Sequence, residues 1–305
     1  MLKNDLFQSF IFEHANIRGY LVNLTHTYQT IIAQHAYPSI IQRYLGEALV
    51  SCVFLSAGIK FNGNMSLQFQ GNHHLPLLVA QCDNNLNLRA TANFDIDATA
   101  IELEQAFNQG VLSLIVNHDA HPTPYRSMMP IHSNSIAQSI TNFFQQSEQL
   151  VSQVWLATSD ATAAGLILQR MPEKDAPQEE AWQYACTMAQ TLTQAELLTL
   201  DNATLLHRLF HETDVRVFPS RTIQFKCRCN LDKMKSALYA LGEAQAKQHI
   251  SMHKTIEITC DFCRQNYYFD AVDVMALFHP NRIEPTLDKS IDIINEINLL
   301  KDVKK

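Results

Sequence analysis

Glycine is scarce, with eight residues in 305. Neither a GxxxxGK(S/T) loop nor a GxGxxG turn occurs, so no backbone cradle for phosphates is visible and no nucleotide dependence is expected. Clustered basic charge is lacking too. A formal net charge of −7 argues against a nucleic-acid partner, because phosphate contacts need grouped Lys and Arg. No apolar run is long enough for a bilayer. The most apolar, Ala48 to Ile59, is too short, carries Ser51 and Ser56, and reads as a buried helix. The first twenty residues are interrupted by Asn4, Asp5, Gln8, Glu13, His14 and Arg18, which is not the pattern of a signal peptide. The expectation is a cytoplasmic chain with no membrane partner, in a compartment where thiols stay reduced. No internal repeat and no low-complexity run is evident. What is present suffices for a real core: 47% hydrophobic and 17% charged residues, in a length suited to one large domain with attachments or about two domains.

Apolar residues at helical spacing mark Ser39 to Gly58, after which the period changes to alternation at Met65, Leu67 and Phe69. Leu75 to Cys82 and Leu86 to Phe94 read as two further strands joined by a turn at Asp83, Asn84 and Asn85. A helix is expected over Thr99 to Asn108, a strand over Val111 to Val116, and a helix over Ser135 to Leu150. Short strands are expected at Val154 to Ala157 and Leu166 to Met171. This mixture indicates an α+β core domain over residues 1–172. Prolines and charges after Met171 mark a boundary. Residues 173–220 hold eight acidic side chains against three basic ones, a net of −5, yet carry Trp182, Leu192, Leu197, Leu205, Leu209 and Phe210. They read as an acidic linker of amphipathic helices with too little mass for a core of its own. Residues 221–278 hold the paired cysteines. The tail, 279–305, shows helical spacing through Leu287, Ile291, Ile294 and Ile297.

The seven cysteines are unevenly placed. Cys52, Cys82 and Cys186 are solitary, whereas Cys227-Arg-Cys229 and Cys260-Asp-Phe-Cys263 form two tight pairs thirty residues apart. Two pairs from separated segments supply the four soft ligands of a tetrahedral structural zinc site, with one zinc per chain in the reduced state. The alternatives are four unremarkable buried cysteines, or a thioredoxin-like CxxC, which should close a strand and open a helix. Here Ile256 to Thr259 precedes the second pair and Tyr267, Tyr268 and Phe269 follow it, suggesting two short strands around a metal knuckle with the aromatics filling a small core. Residues 221–278 carry eight basic and six acidic side chains, and this net of +2 balances the −2 of four thiolates around Zn²⁺. Lys226, Arg228 and Arg264 adjoin the ligands and could keep the thiolates nucleophilic. Each pair could also close its own disulfide, 227–229 and 260–263, and a disulfide sulfur no longer serves as a thiolate ligand. Because metal binding supplies most of the folding energy of such small domains, oxidisable ligands make a folding switch.

These residues resemble a known family. KCRCN at 226–230, the thirty-residue gap and ITCDFC at 258–263 with its following YYF are similar to the redox-regulated 33 kDa chaperonins, a bacterial heat-shock family. IKFNGNMSLQFQGN at 59–72, DNNLNLRATANF at 83–94, RMP at 170–172 and AELLTL at 195–200 resemble that family's core and linker, so the likeness spans most of the chain. The resemblance implies an N-terminal core, a metastable helical linker and a small C-terminal zinc domain. It implies a holdase that needs no ATP, is inactive when reduced and zinc-bound, becomes active on oxidation, and takes unfolded or aggregation-prone proteins as partners. It places ligand and redox roles on Cys227, Cys229, Cys260 and Cys263. A homodimer of the oxidised chain is left open. This sequence departs from the family at Tyr125 to Pro130, at His253 to Thr259, which lacks an expected glycine, and in the tail.

Other patterns carry less. His207-Arg-Leu-Phe-His211 lacks the Glu that a metalloprotease needs beside its first histidine. His73-His74, and His118 with His121, read as solvated loop histidines. His249 and His253 are reserve ligands in the event that a cysteine is lost, although four thiolates complete the site. No catalytic set can be assigned from sequence, and the chain is not expected to be an enzyme. A zinc-ribbon nucleic-acid binder and a thiol–disulfide oxidoreductase are the competing function classes. Overall acidity argues against the first.

Overall fold

The structure is a computed structural model. It describes residues 5–59, 61–95, 103–107, 109–120, 123–131, 135–172 and 179–278. The expected tail helix therefore lies outside the described residues, as do half of the expected 99–108 helix and His121. The chain divides into two compact units, Met1–Lys226 and Cys227–Lys305.

The first unit opens with strands β1 (Leu6–Phe12) and β2 (Ile17–Leu24), then helices α1 (His26–Ile32) and α2 (Ser39–Gly58). Strands β3 (Gly63–Gln70), β4 (Leu77–Asp83) and β5 (Asn87–Asn93) follow, then a single turn α3 (Leu103–Ala106), β6 (Val111–His118) and β7 (Tyr125–Pro130). Helix α4 (Ile136–Ser147), β8 (Ser152–Thr158) and β9 (Ala163–Arg170) come next. Helices α5 (Glu179–Gln190), α6 (Gln194–Thr199) and α7 (Asn202–Phe210) lead to short strands β10 (Val215–Val217), β11 (Arg221–Thr222) and β12 (Gln224–Phe225).

Two sheets result, in the orders β10-β1-β2-β9-β8, with β11 also on β1, and β12-β5-β4-β3-β6-β7. All pairings are antiparallel except β12 with β5. Alternation at Met65, Leu67 and Phe69 is the pattern of a strand half-buried on one face. In the structure Ser66 and Gln68 are buried too, and Ser66 Oγ accepts hydrogen bonds from Gln68 and Gln81, so β3 is covered on both faces. The turn after β4 is built by the Asp83 carboxylate, which accepts from the backbone N–H of Asn85 and Asn87.

Helix α2 packs on both sheets. It is apolar on most of its circumference, as a helix enclosed by protein must be, with Leu45, Leu49, Val53 and Phe54 fully buried. It is long and apolar enough to span a bilayer, but 67% of that window is buried inside the protein. Contact with β9 is close at Gly165, where an added Cβ would stand 2.6 Å from Val50 Cγ1.

Helices α5 to α7 lie on the outer face of the first sheet. Trp182, Ala185, Leu197, Leu205, Leu209 and Phe210 form one buried cluster with Phe10, Phe12, Leu166 and Leu168 of the strands. Leu192 is partly buried against it. The Phe210 ring meets Phe12 edge-on, with centroids 5.0 Å apart at 70°. The helix ends are well made. Thr193 and Glu196 form a reciprocal capping box on α6, and the Asp201 side chain accepts from Thr204 N at the start of α7. Arg208 of α7 pairs with Glu196 and hydrogen-bonds Thr191, tying α7 back to the α5–α6 corner.

Candidate metal centre

The second unit contains α8 (Leu231–Leu241), α9 (Glu243–His253), β13 (Thr255–Thr259), β14 (Asn266–Asp270) and α10 (Ala271–Phe278). Among the described residues its core cluster is small: eight buried side chains, among them Met234, Leu238, Ile256, Ile258, Phe269 and Leu277. A unit of this size gains too little from burial alone, and a metal is the usual supplement.

Strands β13 and β14 pair antiparallel from Thr255–Asp270 to Thr259–Asn266. The connection is a tight knuckle: Arg264 N donates to Cys260 O at 2.8 Å, and Cys260 N donates to Gln265 O at 2.9 Å. Arg264 takes a left-handed conformation, φ 57°, to complete the turn. The first pair comes from the segment leading into α8, where Cys229 directly precedes Asn230, whose side chain caps the helix by accepting from Lys233 N.

These two segments bring Cys227, Cys229, Cys260 and Cys263 together, with all four Sγ atoms within 4.8 Å of one another. Cys227 Sγ lies 3.7 Å from Cys260 Sγ, and Cys229 Sγ lies 3.4 Å from Cys263 Sγ. A tetrahedral site with Zn–S bonds near 2.3 Å sets sulfurs about 3.8 Å apart, so the donor set fits a zinc ion. Among the described residues this is the one cluster able to hold a metal through three or more such side chains. Crowding also disfavours bare thiolates. Cys260 is pushed well above the usual thiol range, first by its hydrogen bond with Cys227 and then by burial. Burial is the main cause that pushes Cys263 up to about 12. A divalent cation would reverse both trends by supplying the missing positive charge.

The sequence pattern predicts that all three aromatics after Cys263 fill the small core. Strand alternation separates them. Phe269 is buried, but Tyr268 is 61% exposed and reaches Glu257 Oε1 at 3.2 Å. Tyr267 does something the sequence does not signal: its hydroxyl donates to Cys229 Sγ at 3.2 Å. Donation to a ligand sulfur orients that sulfur and draws off part of its charge. His249 and His253 stand before β13 and Cys260 after it, and the cluster of candidate ligands does not include either histidine.

The solitary cysteines stand elsewhere. Cys52 and Cys82 are buried in the first unit, and Cys186 on α5 is pushed up to about 11 by burial and then by Glu179. None is exposed as a reactive thiol must be. His207 and His211 fall on α7 and its C-cap with ring centroids 5.9 Å apart.

Comparison with known proteins agrees with this geometry. The family model for "Hsp33 protein" matches residues 5–270. The 33 kDa chaperonin of Ectopseudomonas mendocina is 36% identical over 282 residues, covering 90% of this chain and 95% of that one. The 33 kDa chaperonin of Neisseria meningitidis serogroup A is 38% identical over 277 residues, covering 90% and 91%. The crystal structure of the 33 kDa chaperonin from Thermotoga maritima superposes with a TM-score of 0.77, covering 90% of this chain and 98% of that one at 22% identity, a likeness of fold. By the family match across nearly all described residues and by relatives of this similarity and coverage, the chain belongs to the Hsp33 family of chaperones.

Proposed function

We propose that this chaperone is a redox-regulated, ATP-independent holdase of the cytoplasm, held inactive by one zinc ion on Cys227, Cys229, Cys260 and Cys263. The observation that carries the proposal is the close approach of four sulfurs beside a small apolar cluster. Bound zinc would serve as a tetrahedral template that ties the segment before α8 to the β13–β14 knuckle. A two-electron oxidant from solution, such as a peroxide, takes two electrons per disulfide and is itself reduced to water or alcohol, which removes the thiolates that would hold the metal. The second unit then loses its fold. Lys226 and Cys227 are consecutive, so loss of order at the first ligand reaches β12 and the chain leading back to α7.

The linker helices α5 to α7 supply the client surface. Their apolar faces are hidden against the first sheet in the resting chain. Release would expose Trp182, Leu205, Leu209 and Phe210 together with Phe10, Phe12 and Leu166 beneath them, an apolar patch suited to unfolding proteins. The net −5 of residues 173–220 would keep the opened protein soluble.

Light scattering with a chemically unfolded client tests the function: suppression of aggregation is expected for the oxidised chain and not for the reduced zinc-loaded chain. Equal activity in both states would refute the switch. Zinc content should fall from one per chain to near zero in Cys227→Ser and Cys260→Ser, and undiminished zinc in both would remove the ligand assignment. Peptide mapping reports the disulfides. Bridges 227–229 and 260–263 are expected, since closing short loops costs least once the unit opens. Dominant 227–260 or 229–263 bridges would show instead that oxidation occurs within the folded site, where those sulfurs already touch.

A further inference from the structure

The last turn of α9 presents a second set of metal-binding atoms. His249, Met252 and His253 stand at positions i, i+3 and i+4, so one helix face carries two imidazoles and a thioether. The two imidazole centroids are 4.6 Å apart. A metal held 2.0–2.1 Å from one nitrogen of each ring sets the centroids roughly 4.5–5 Å apart, so chelation needs little beyond ring rotation. Neither ring is hydrogen-bonded within the described residues, and the buried Nδ1 of His249 lacks a partner. Such a nitrogen is a cost in the free protein that a ligand relieves. Met252 is 62% exposed, although methionine is more often buried. The other helical pair, His207 and His211, is wider at 5.9 Å, and His211 Nε2 already lies 3.9 Å from Glu212.

We propose that His249 and His253, with Met252 as a weak third ligand, form a copper site on α9, separate from the four-cysteine centre. The donor set selects the metal. Imidazole suits zinc, nickel and copper, affinity among divalent ions peaks at Cu²⁺, and an added thioether, a soft donor, favours copper over nickel. His249 and His253 lie outside the four-sulfur cluster, so both centres can be filled at once. Bound copper would staple the turn that ends at Lys254 and stabilise the second unit by mass action, whatever the state of the sulfurs.

The test uses the full-length, reduced, zinc-loaded chain under argon. One equivalent of Cu²⁺ is added, and the spin-resonance spectrum, zinc content and free-thiol count are read on the same sample. Ni²⁺ serves as a redox-inert second probe. A two-nitrogen copper spectrum is expected, with zinc and thiols retained. His249→Ala and His253→Ala, each still holding one zinc as proof of folding, should weaken Cu²⁺ and Ni²⁺ binding by about a hundredfold through loss of chelation. Met252→Leu should weaken copper binding and leave nickel unchanged, whereas unchanged copper binding would strike Met252 from the site. His207→Ala should have no effect. Wild-type affinity in both the 249 and 253 variants would overturn the proposal. So would loss of zinc and thiols in step with copper uptake, which would place copper on the cysteines.

Discussion

Glu47 is a carboxylate set into α2, the helix that packs on both sheets. Burial pushes it from 4.5 up to about 7, with Arg43 one turn away only partly opposing the shift. An acid raised in the folded state binds its proton more tightly there than in the unfolded chain. Its contribution to stability is therefore full below 4.5 and is lost as pH rises through about 7, with a total on the order of 3 kcal/mol. Glu47→Gln should flatten that pH dependence. Melting curves at pH 5.5 and 8 should show the wild-type chain losing stability relative to the variant at the higher pH, and parallel curves would refute the assignment. Lys254 is a second residue whose surroundings work against it. It caps α9 with φ 64°, in the left-handed region that favours glycine, within the stretch where the family resemblance calls for a glycine. Lys254→Gly is expected to stabilise the second unit by about 1 kcal/mol, read as a higher urea midpoint of the zinc-loaded protein.

Among the elements, the seam between α7 and the first sheet is the one on which regulation is proposed to turn. Phe10 on β1 lies opposite Gly19 on β2, and its ring fills the place of the missing side chain: an added Cβ would stand 2.1 Å from Phe10 Cζ. Phe10 also belongs to the cluster that receives Phe210. Gly19→Ala should displace the Phe10 ring toward α7, at a cost of about 1–3 kcal/mol. Phe210→Ala should remove about 3–5 kcal/mol from the same seam. Both variants are expected to suppress client aggregation measurably while still reduced and zinc-loaded. If both stayed inactive when reduced, although destabilised, the buried seam would not be the client surface.

For the whole molecule, the proposed switch divides local stability unequally. Exchange of backbone amides should be slow across both units in the reduced chain. After oxidation, fast exchange is expected over 179–278, with strands β1 to β9 still protected. A rise confined to 227–278, together with full client protection, would leave the chaperone role standing and remove the linker from its mechanism. Removing zinc from the reduced chain with a chelator should open 227–278 in the same way, because the loss of fold follows from the ligands and not from the disulfides.

Much of this architecture is legible in the amino-acid sequence by itself. Cysteine spacing alone marks Cys227, Cys229, Cys260 and Cys263 as one constellation, because four soft ligands in two tight pairs have few other uses, and in the fold their sulfurs meet. Periodicity locates α2, β3 to β6, α4 and the strands that form β8 and β9, because each has a clear polar and apolar pattern or a marked turn. The apolar residues of the linker imply a surface to cover them. Only the tertiary structure shows which surface: the outer face of a sheet whose strands β1 and β2 come from the first 24 residues and carry no clear strand signal. Those strands are buried by partners far along the chain, so Gln8, Asn23 and Gly19 blur the alternation that marks a strand. β7 escapes the sequence pattern for the opposite reason, being an edge strand with little buried. Local patterns determine what each segment can bury and which atoms it can offer a metal. Long-range pairing decides which face meets it, and so places Tyr267 on the Cys229 sulfur, Tyr268 in solvent and Phe210 against Phe12.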